Sequence, residues 1–386
     1  ERSRGQHAHP IVIHAASMGE FEHIKPLVIK LSEFEKYPVI VTFFSPSAYE
    51  HVKRFSGVDL IVYLPFDFAF TWKRFYKHLS PKALIISKHD AWPNQVWEAK
   101  KHNLPVYLVN ASLNDQSSRI RWPARFLFNS IYSSVTQICT ISNEDRQTFE
   151  KYFNNIRVDY VGDTKFDQVL IRKERALRQE PLLPEYWQSA SRVILLGSVW
   201  KEDGDHIFPA VSEVLENHED IKCIIVPHQP EEAFVQQIKS QFNTCKPVRF
   251  TELNQGSAEN RVMIVDKIGV LADLYQYAFL AYVGGSFRQG IHNVMEPAVY
   301  GIPVLFGPVH LNSFEAKQLV LRKGALVVSS TDDTFKILQR FITNRDAQKK
   351  VGKKAYEFAK ENTGATEKIV QLIIHQHLNF EFNDPD

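Results

Sequence analysis

Glu20 closes the tetrapeptide Ser17-Met18-Gly19-Glu20, which follows the apolar run 11–15 and precedes a stretch with Phe21, Ile24, Leu27, Leu31 and Phe34 on one helical face. Two chemistries fit a carboxylate there. The S-x-x-E spacing is that of a capping box, in which both side chains satisfy the orphan amides of a first helical turn. A carboxylate at a strand-to-helix junction beside a small Gly19 can also face a ligand and take a proton from a nucleophile. Pro26 lies inside the helical pattern and is expected to kink or restart the helix. A second junction, Ser87-Lys88-His89-Asp90-Ala91-Trp92-Pro93-Asn94, sets hydrogen-bonding and ionisable side chains in succession after another apolar run. They suit a solvated loop or a site, but not a core. Asn110 and Ser112, and Asp163 with Lys165 in VGDTKFD, would point the same way if the sheet is parallel.

The strongest local signal is residues 279–308, FLAYVGGSFRQGIHNVMEPAVYGIPVLFGP. A strand runs into Gly284-Gly285-Ser286, a loop follows through Gly290, and Asn293 is expected to open a short helix that Gly301 closes. Amides at such a helix start suit a phosphate. Asn293 and Glu296 stand at capping spacing, so Glu296 either caps or grips ribose hydroxyls; three nearby glycines favour the ligand. There is no GxGxxG and no Walker pattern, which disfavours dinucleotide and P-loop readings. Pro227-His228-Gln229-Pro230 and Gly197-Ser198-Val199-Trp200 end two further apolar runs, although a lone histidine there is more often structural. The fifteen histidines show no HExxH spacing, and Cys139, Cys223 and Cys245 stand too far apart for a structural zinc, so no metal is expected. Three cysteines cannot pair off completely, which fits a reducing compartment.

These residues need elements to hold them at strand ends. Apolar, β-branched runs alternate with longer amphipathic stretches along the whole chain, the pattern of parallel sheets covered by helices. The first set of strands is expected at 11–15, 39–44, 60–65, 83–87, 106–110 and 137–142, the second at 193–198, 223–228, 262–266, 279–285, 303–308 and 325–330. Two six-stranded sets predict an α/β chain with two Rossmann-like domains, 1–167 and 193–386, joined by a linker at 168–192 where strand character lapses around Pro181 and Pro184. Residues 331–378 read as helices only. Ligands of such sheets bind beyond the carboxyl ends of the strands, so a site is expected in the cleft between the domains.

With 386 residues, 44% hydrophobic, the chain is too long for one small core and too apolar to be disordered. A formal net charge of +2 argues against a nucleic-acid partner. The charge is uneven: residues 1–165 hold 21 Lys and Arg against 16 Asp and Glu, and residues 166–386 hold 25 against 28. The basic half also carries cations interleaved with aromatics at 70–77 and at 118–128, where Arg119, Arg121, Trp122 and Arg125 lie. Such stretches are either core aromatics with a solvated charged face or a surface for anionic lipid. No window reaches 18 consecutive apolar residues, and a first residue Glu1 in place of Met suggests that an N-terminal anchor precedes the chain.

HAASMGEFE, TFFSPS, YLPFD, WPN, VGDTKFD and GIHNVMEPAVYGIPVLFGP together resemble the 3-deoxy-D-manno-oct-2-ulosonic acid (Kdo) transferases of lipopolysaccharide synthesis, in their Bacteroidetes-type form, over nearly the whole chain. The resemblance implies a GT-B fold with an N-terminal acceptor domain, a C-terminal donor domain and a membrane anchor ahead of them. It implies Glu20 as general base, Asp90 as the transition-state-stabilising carboxylate, where the family usually has Glu, and Lys165 as its accompanying lysine. Contacts to the donor's cytidine monophosphate (CMP) fall on Pro227, on His228 in place of a common arginine, on Ile268, Gly269 and Val270, and on Asn293, Val294, Met295 and Glu296. Gly285 and Ser286 of the glycine-rich loop join that set. Ser112 stands where an arginine is frequent. The implied partners are CMP-Kdo as a substrate, with no cofactor, a lipid A precursor and an anionic membrane surface, at the cytoplasmic face of the bacterial inner membrane. A GT-B-shaped nucleotide-sugar epimerase and a non-catalytic lipid-binding protein are the alternatives.

Overall fold

A computed structural model describes residues 9–375 apart from 35, 53, 54, 56, 191 and 256. The opening residues 1–8 and the end of the expected C-terminal helical stretch, 376–378, lie outside the described residues. The chain divides into two compact units: residues 1–168 with 362–386, and residues 169–361.

The first unit holds β1 (Ile11–Ala15), β2 (Val39–Phe43), β3 (Leu60–Tyr63), β4 (Ala83–Ser87), β5 (Val106–Ala111), β6 (Gln137–Thr140) and β7 (Val158–Tyr160). They form one sheet in the order β3-β2-β1-β4-β5-β6-β7, and each pairing is parallel. The central strands are buried on both faces, as parallel strands covered by helices must be. Alternate residues feed two cores: Ile11, Ile13, Val39 and Val41 one, Val12, Ile40, Leu84 and Ile86 the other. The second unit repeats the plan with β8 (Arg192–Val199), β9 (Ile221–Pro227), β10 (Val248–Arg249), β11 (Val262–Ile264), β12 (Leu280–Val283), β13 (Val304–Phe306) and β14 (Ala325–Val327). Its order is β10-β11-β9-β8-β12-β13-β14.

Among the described residues each sheet has seven strands where six were expected. The additions, β7 and β10, are edge strands of three and two residues, too short to show a periodicity. The helix Met18–Glu33 runs through Pro26 without a restart, so burial of Phe21, Ile24, Leu27, Val28 and Leu31 outweighs the ~3 kcal/mol that an internal proline costs.

The expected domain boundaries are corrected at both ends of the second unit. Residues 168–192 are largely ordered structure: the helix Thr164–Arg178 carries the chain across the boundary, and Trp187 of the following turn is fully buried. The C-terminal helices divide. Thr331–Thr343 and Arg345–Glu361 stay with the second unit, whereas Ala365–Ile373 buries Ile369, Val370 and Ile373 in the first unit's core. The Asp167 carboxylate accepts hydrogen bonds from the Gly364 and Thr366 amides at 2.6 and 2.7 Å and from the Thr366 hydroxyl at 2.6 Å. It thus serves the helix Ala365–Ile373 as an N-cap brought from far along the chain.

Candidate active site

Strand order reverses direction beside β1 in the first sheet, where β1 and β4 are neighbours, and at β8 and β12 in the second. Such switch points open a crevice at the carboxyl ends of the two strands. Glu20 and Asp90 follow β1 and β4; residues 197–200 are the end of β8 and the residue after it, and the loop 284–292 follows β12. The candidates named from the sequence are strand-end residues, and the topology makes those strands neighbours.

Glu20 does cap its helix. Ser17 Oγ accepts the Glu20 amide at 3.4 Å, and Glu20 Oε2 accepts the Ala16 amide at 2.9 Å. Oε1 makes no hydrogen bond among the described residues, so the cap uses half of the carboxylate. Asp90 Oδ2 lies 2.7 Å from Nε2 of His14, a residue wholly inside β1. Burial works to raise the Asp90 pKa, but the hydrogen bond from His14, with the charge of Arg119, brings it below the usual value. The neighbouring His89 is pushed down to about 4 by burial and by the Arg119 and Lys88 charges, against the pull of Asp90. It is therefore neutral at pH 7, and its Nε2 lies 3.2 Å from Ser112 Oγ. Arg119, expected in the lipid-facing patch, thus also acts electrostatically on this carboxylate.

Lys165 sits in the first turn of the helix Thr164–Arg178, with Nζ 3.3 Å from Asp163 Oδ2. Asn110 holds that helix start, donating to Thr164 Oγ1 at 2.7 Å and accepting its amide at 3.1 Å, while the Thr164 hydroxyl donates to the His23 carbonyl. Asn110 (φ 53°) and Lys88 (φ 57°) both have left-handed backbone at strand ends. Each costs on the order of 1–3 kcal/mol and persists only where the surroundings impose it.

In the second unit a close backbone approach builds the site. A Cβ on Gly284 would lie 2.2 Å from the Ser198 carbonyl oxygen, and Ser198 itself is left-handed at φ 52°. Buried Asp203 ties the two loops together, accepting from the Trp200 amide at 2.9 Å, the Gly285 amide at 2.8 Å and the Tyr282 hydroxyl at 2.7 Å. Above it three rings stack: Trp200 on His228 with centroids 4.3 Å apart, and His228 on His292 at 4.5 Å. Trp200 Nε1 donates to His292 Nε2 at 2.9 Å. Burial lowers the pKa of both histidines, and His228 adds to the effect on His292. Trp200 and His228 line a cavity of about 280 Å3 with Lys201 and Gln229. His292 lines one of about 250 Å3 with Arg172, Gly269, Asn293 and Glu296.

Several donor-site expectations change in detail. The helix expected from Asn293 is only Met295–Ala298, and Asn293 Oδ1 accepts the Met295 amide at 3.0 Å, so a four-residue turn replaces the expected helix terminus. Val294, Met295 and Val270 are packed inward, and Pro227 is buried at the end of β9. The buried Ser286 hydroxyl is consumed by the Val283 carbonyl and the Gly307 amide, and the Gly285 amide by Asp203, which makes both loop scaffolding. Ile268 is exposed and Gly269 lines the cavity. Glu296 Oε1 pairs with Arg172 at 3.3 Å. Sequence reading did not single out His14, Thr42, Arg172, Asp203 or His292. A histidine inside an apolar strand and an aspartate three residues after Trp200 were the available signals.

The two basic, aromatic stretches also separate into parts. Trp72 and Tyr76 are core residues of the helix Ala69–Leu79. Phe70, Trp122 and Phe126 are 73%, 81% and 70% exposed, and Arg121 and Arg125 are exposed beside them. Among the described residues no helix is long and apolar enough to cross a membrane, and no cluster of His, Cys, Asp or Glu is placed to hold a metal ion.

The family profile described as 3-Deoxy-D-manno-octulosonic-acid transferase (kdotransferase) matches residues 1–168. The curated 3-deoxy-D-manno-octulosonic acid transferase of Aquifex aeolicus is 30% identical over 316 residues, which are 81% of this chain and 80% of that protein. The chain belongs to the Kdo transferase family. A relative of the same name from Haemophilus influenzae is 26% identical over 94% of this chain and 86% of its own. Among solved structures, UDP-GlcNAc 2-epimerase from Neisseria meningitidis superposes with a TM-score of 0.68 at 13% identity, covering 95% of this chain and all of that one. MurG of Acinetobacter baumannii gives 0.56 at 16% identity, covering 96% and 100%. These likenesses show the fold alone, the paired parallel sheets of GT-B proteins. As a Kdo transferase the chain is a glycosyltransferase enzyme.

Proposed function

We propose that this Kdo transferase moves Kdo, with inversion, from CMP-Kdo to a hydroxyl of a lipid A precursor at an anionic membrane surface, on the cytoplasmic face of the bacterial inner membrane. The observation that carries this reading is the placement of Glu20 and Asp90 at the switch point of one sheet, with a ring-stacked pair of cavities at the switch point of the other. Glu20 takes the proton of the acceptor hydroxyl, whose oxygen attacks the anomeric carbon of Kdo. The bond from that carbon to the phosphate oxygen breaks, and CMP leaves with the electron pair. Lys165 and Asp90 stabilise charge developing in the transition state. The ring stack of Trp200, His228 and His292 takes the donor nucleotide, with Gly269, Asn293 and Glu296 lining the adjoining cavity.

The test is incubation of the purified protein with CMP-Kdo, with and without a defined tetra-acyl lipid A precursor. CMP release that requires the acceptor, with a product heavier by whole Kdo units, is the expected result. Donor isomerised without acceptor would favour an epimerase, and CMP binding without turnover would favour a lipid-binding protein.

A further inference from the structure

His14 stands fourth in β1, a fully buried imidazole in an otherwise apolar strand. β1 lies between β2 and β4, and His14 is in register with Thr42 on one side and Ile86 on the other. Both ring nitrogens are engaged. Nε2 is 2.7 Å from Asp90 Oδ2, and Nδ1 is 2.9 Å from Thr42 Oγ1 and 3.1 Å from the Thr42 carbonyl oxygen. An ionised carboxylate only accepts, so the hydrogen of that short contact must sit on Nε2. A neutral ring then presents a lone pair at Nδ1. Of the two Thr42 oxygens beside it, only the hydroxyl can donate.

We propose that Thr42, His14 and Asp90 form one hydrogen-bonded relay in which the Thr42 hydroxyl selects the Nε2–H tautomer of His14, and His14 thereby holds the Asp90 carboxylate ionised and oriented for the transfer reaction. His14 and Thr42 are positioning residues. The relay gives the Asp90 side chain a fixed direction. It rests on the reading that Asp90 serves the transfer. The other charged or titratable groups that act on Asp90 and its neighbour are Arg119 on both, and Lys88 on His89, which precedes Asp90 in the chain. From β2 the facing group is the unionisable Thr42.

The decisive variant is Thr42→Val, which removes the hydroxyl and leaves the carbonyl. A neutral ring can then satisfy Nδ1 only by moving its hydrogen there, which turns a lone pair toward Asp90. The dyad now needs the imidazolium, so kcat should acquire a limb that falls with rising pH, roughly ten- to hundredfold below wild type at the alkaline end. Thr42→Ser should restore the wild-type pH profile. Long-range 1H–15N correlation spectra of histidine-labelled protein, with the His14 signal assigned by its loss in His14→Gln, should show the neutral Nε2–H form at pH 8. A Thr42→Val profile parallel to wild type, or a wild-type His14 in the Nδ1–H form, would overturn the relay. Asp90→Asn separates the two claims: full turnover by that variant would remove Asp90 from the transfer and the relay from catalysis, whatever tautomer the spectra show.

Discussion

Single side chains in the first unit have their protonation set by a few neighbours. His89 is held near 4, against 6.5 for an unperturbed imidazole. A histidine whose folded value is depressed must take up a proton on unfolding, so its stabilisation is present above pH 6.5 and is lost as pH falls toward 4. Across that window the protein should lose about 3 kcal/mol through this one group. Urea unfolding between pH 7 and pH 5 checks it: His89→Gln should have a shallower loss of midpoint than wild type, and parallel curves would refute the assignment. Glu20→Gln addresses the chemistry. Gln keeps the hydrogen bond from the Ala16 amide and so the cap, with a stability change within about 0.5 kcal/mol. It removes the base, and kcat should fall by roughly 10²–10⁴. A variant with near-normal turnover would leave Glu20 a cap and nothing more.

Helices and strands hold these side chains at strand ends, and here sequence reading succeeded unevenly. The buried runs around Ile13, Ile85 and Leu195 announced themselves, because a strand covered on both faces must be apolar throughout. Since such strands hold ligands at their carboxyl ends, Glu20 and Asp90 were candidates as the carboxylates that follow β1 and β4. The edge strands β7 and β10 could not, because two or three half-exposed residues have no period. Nor could the pairing of Asp167 with Thr366, since nothing local marks a carboxylate as the cap of a helix 199 residues away. Asp203 offered only a weak signal: two of its three partners are backbone amides, which any sequence supplies. The Asp167 cap yields its own prediction. Asp167→Ala strands two amides at the start of the helix Ala365–Ile373 and should destabilise the first unit by about 2 kcal/mol. Limited proteolysis should cut first near residues 362–364. An unchanged urea midpoint with no new cleavage there would show that packing of Ile369, Val370 and Ile373 holds the helix alone.

For the molecule as a whole, the asymmetry of charge gains a physical location. The half with excess cations also exposes Phe66, Phe68, Phe70, Trp122 and Phe126, and large apolar side chains beside arginines suit the headgroup layer of an anionic bilayer. Each cation there contributes roughly 1 kcal/mol, screened as salt rises. The chain should pellet with anionic vesicles at low salt and leave them at high salt. Arg121→Ser with Arg125→Ser should weaken pelleting, and these two suffice, because Arg119 also acts on Asp90 and His89 and would confound the result. Equal pelleting of variant and wild type at every salt concentration would remove the patch from membrane contact.

The return of the helix Ala365–Ile373 to the first unit changes how the protein can be made. The ribosome delivers residues 1–168 long before residues 362–373, so the first unit must wait, with the seat of Ile369, Val370 and Ile373 unfilled, until the rest has been synthesised. A chimera that exchanges halves near residue 168 would carry a foreign final helix onto a native sheet. A premature stop near residue 360 would spare every cavity-lining residue of the second unit and damage the unit that bears Glu20 and Asp90. Gene fragments meant to express either half alone should therefore follow the core and not the linear order of the codons, grafting residues 362–375 directly behind residue 168.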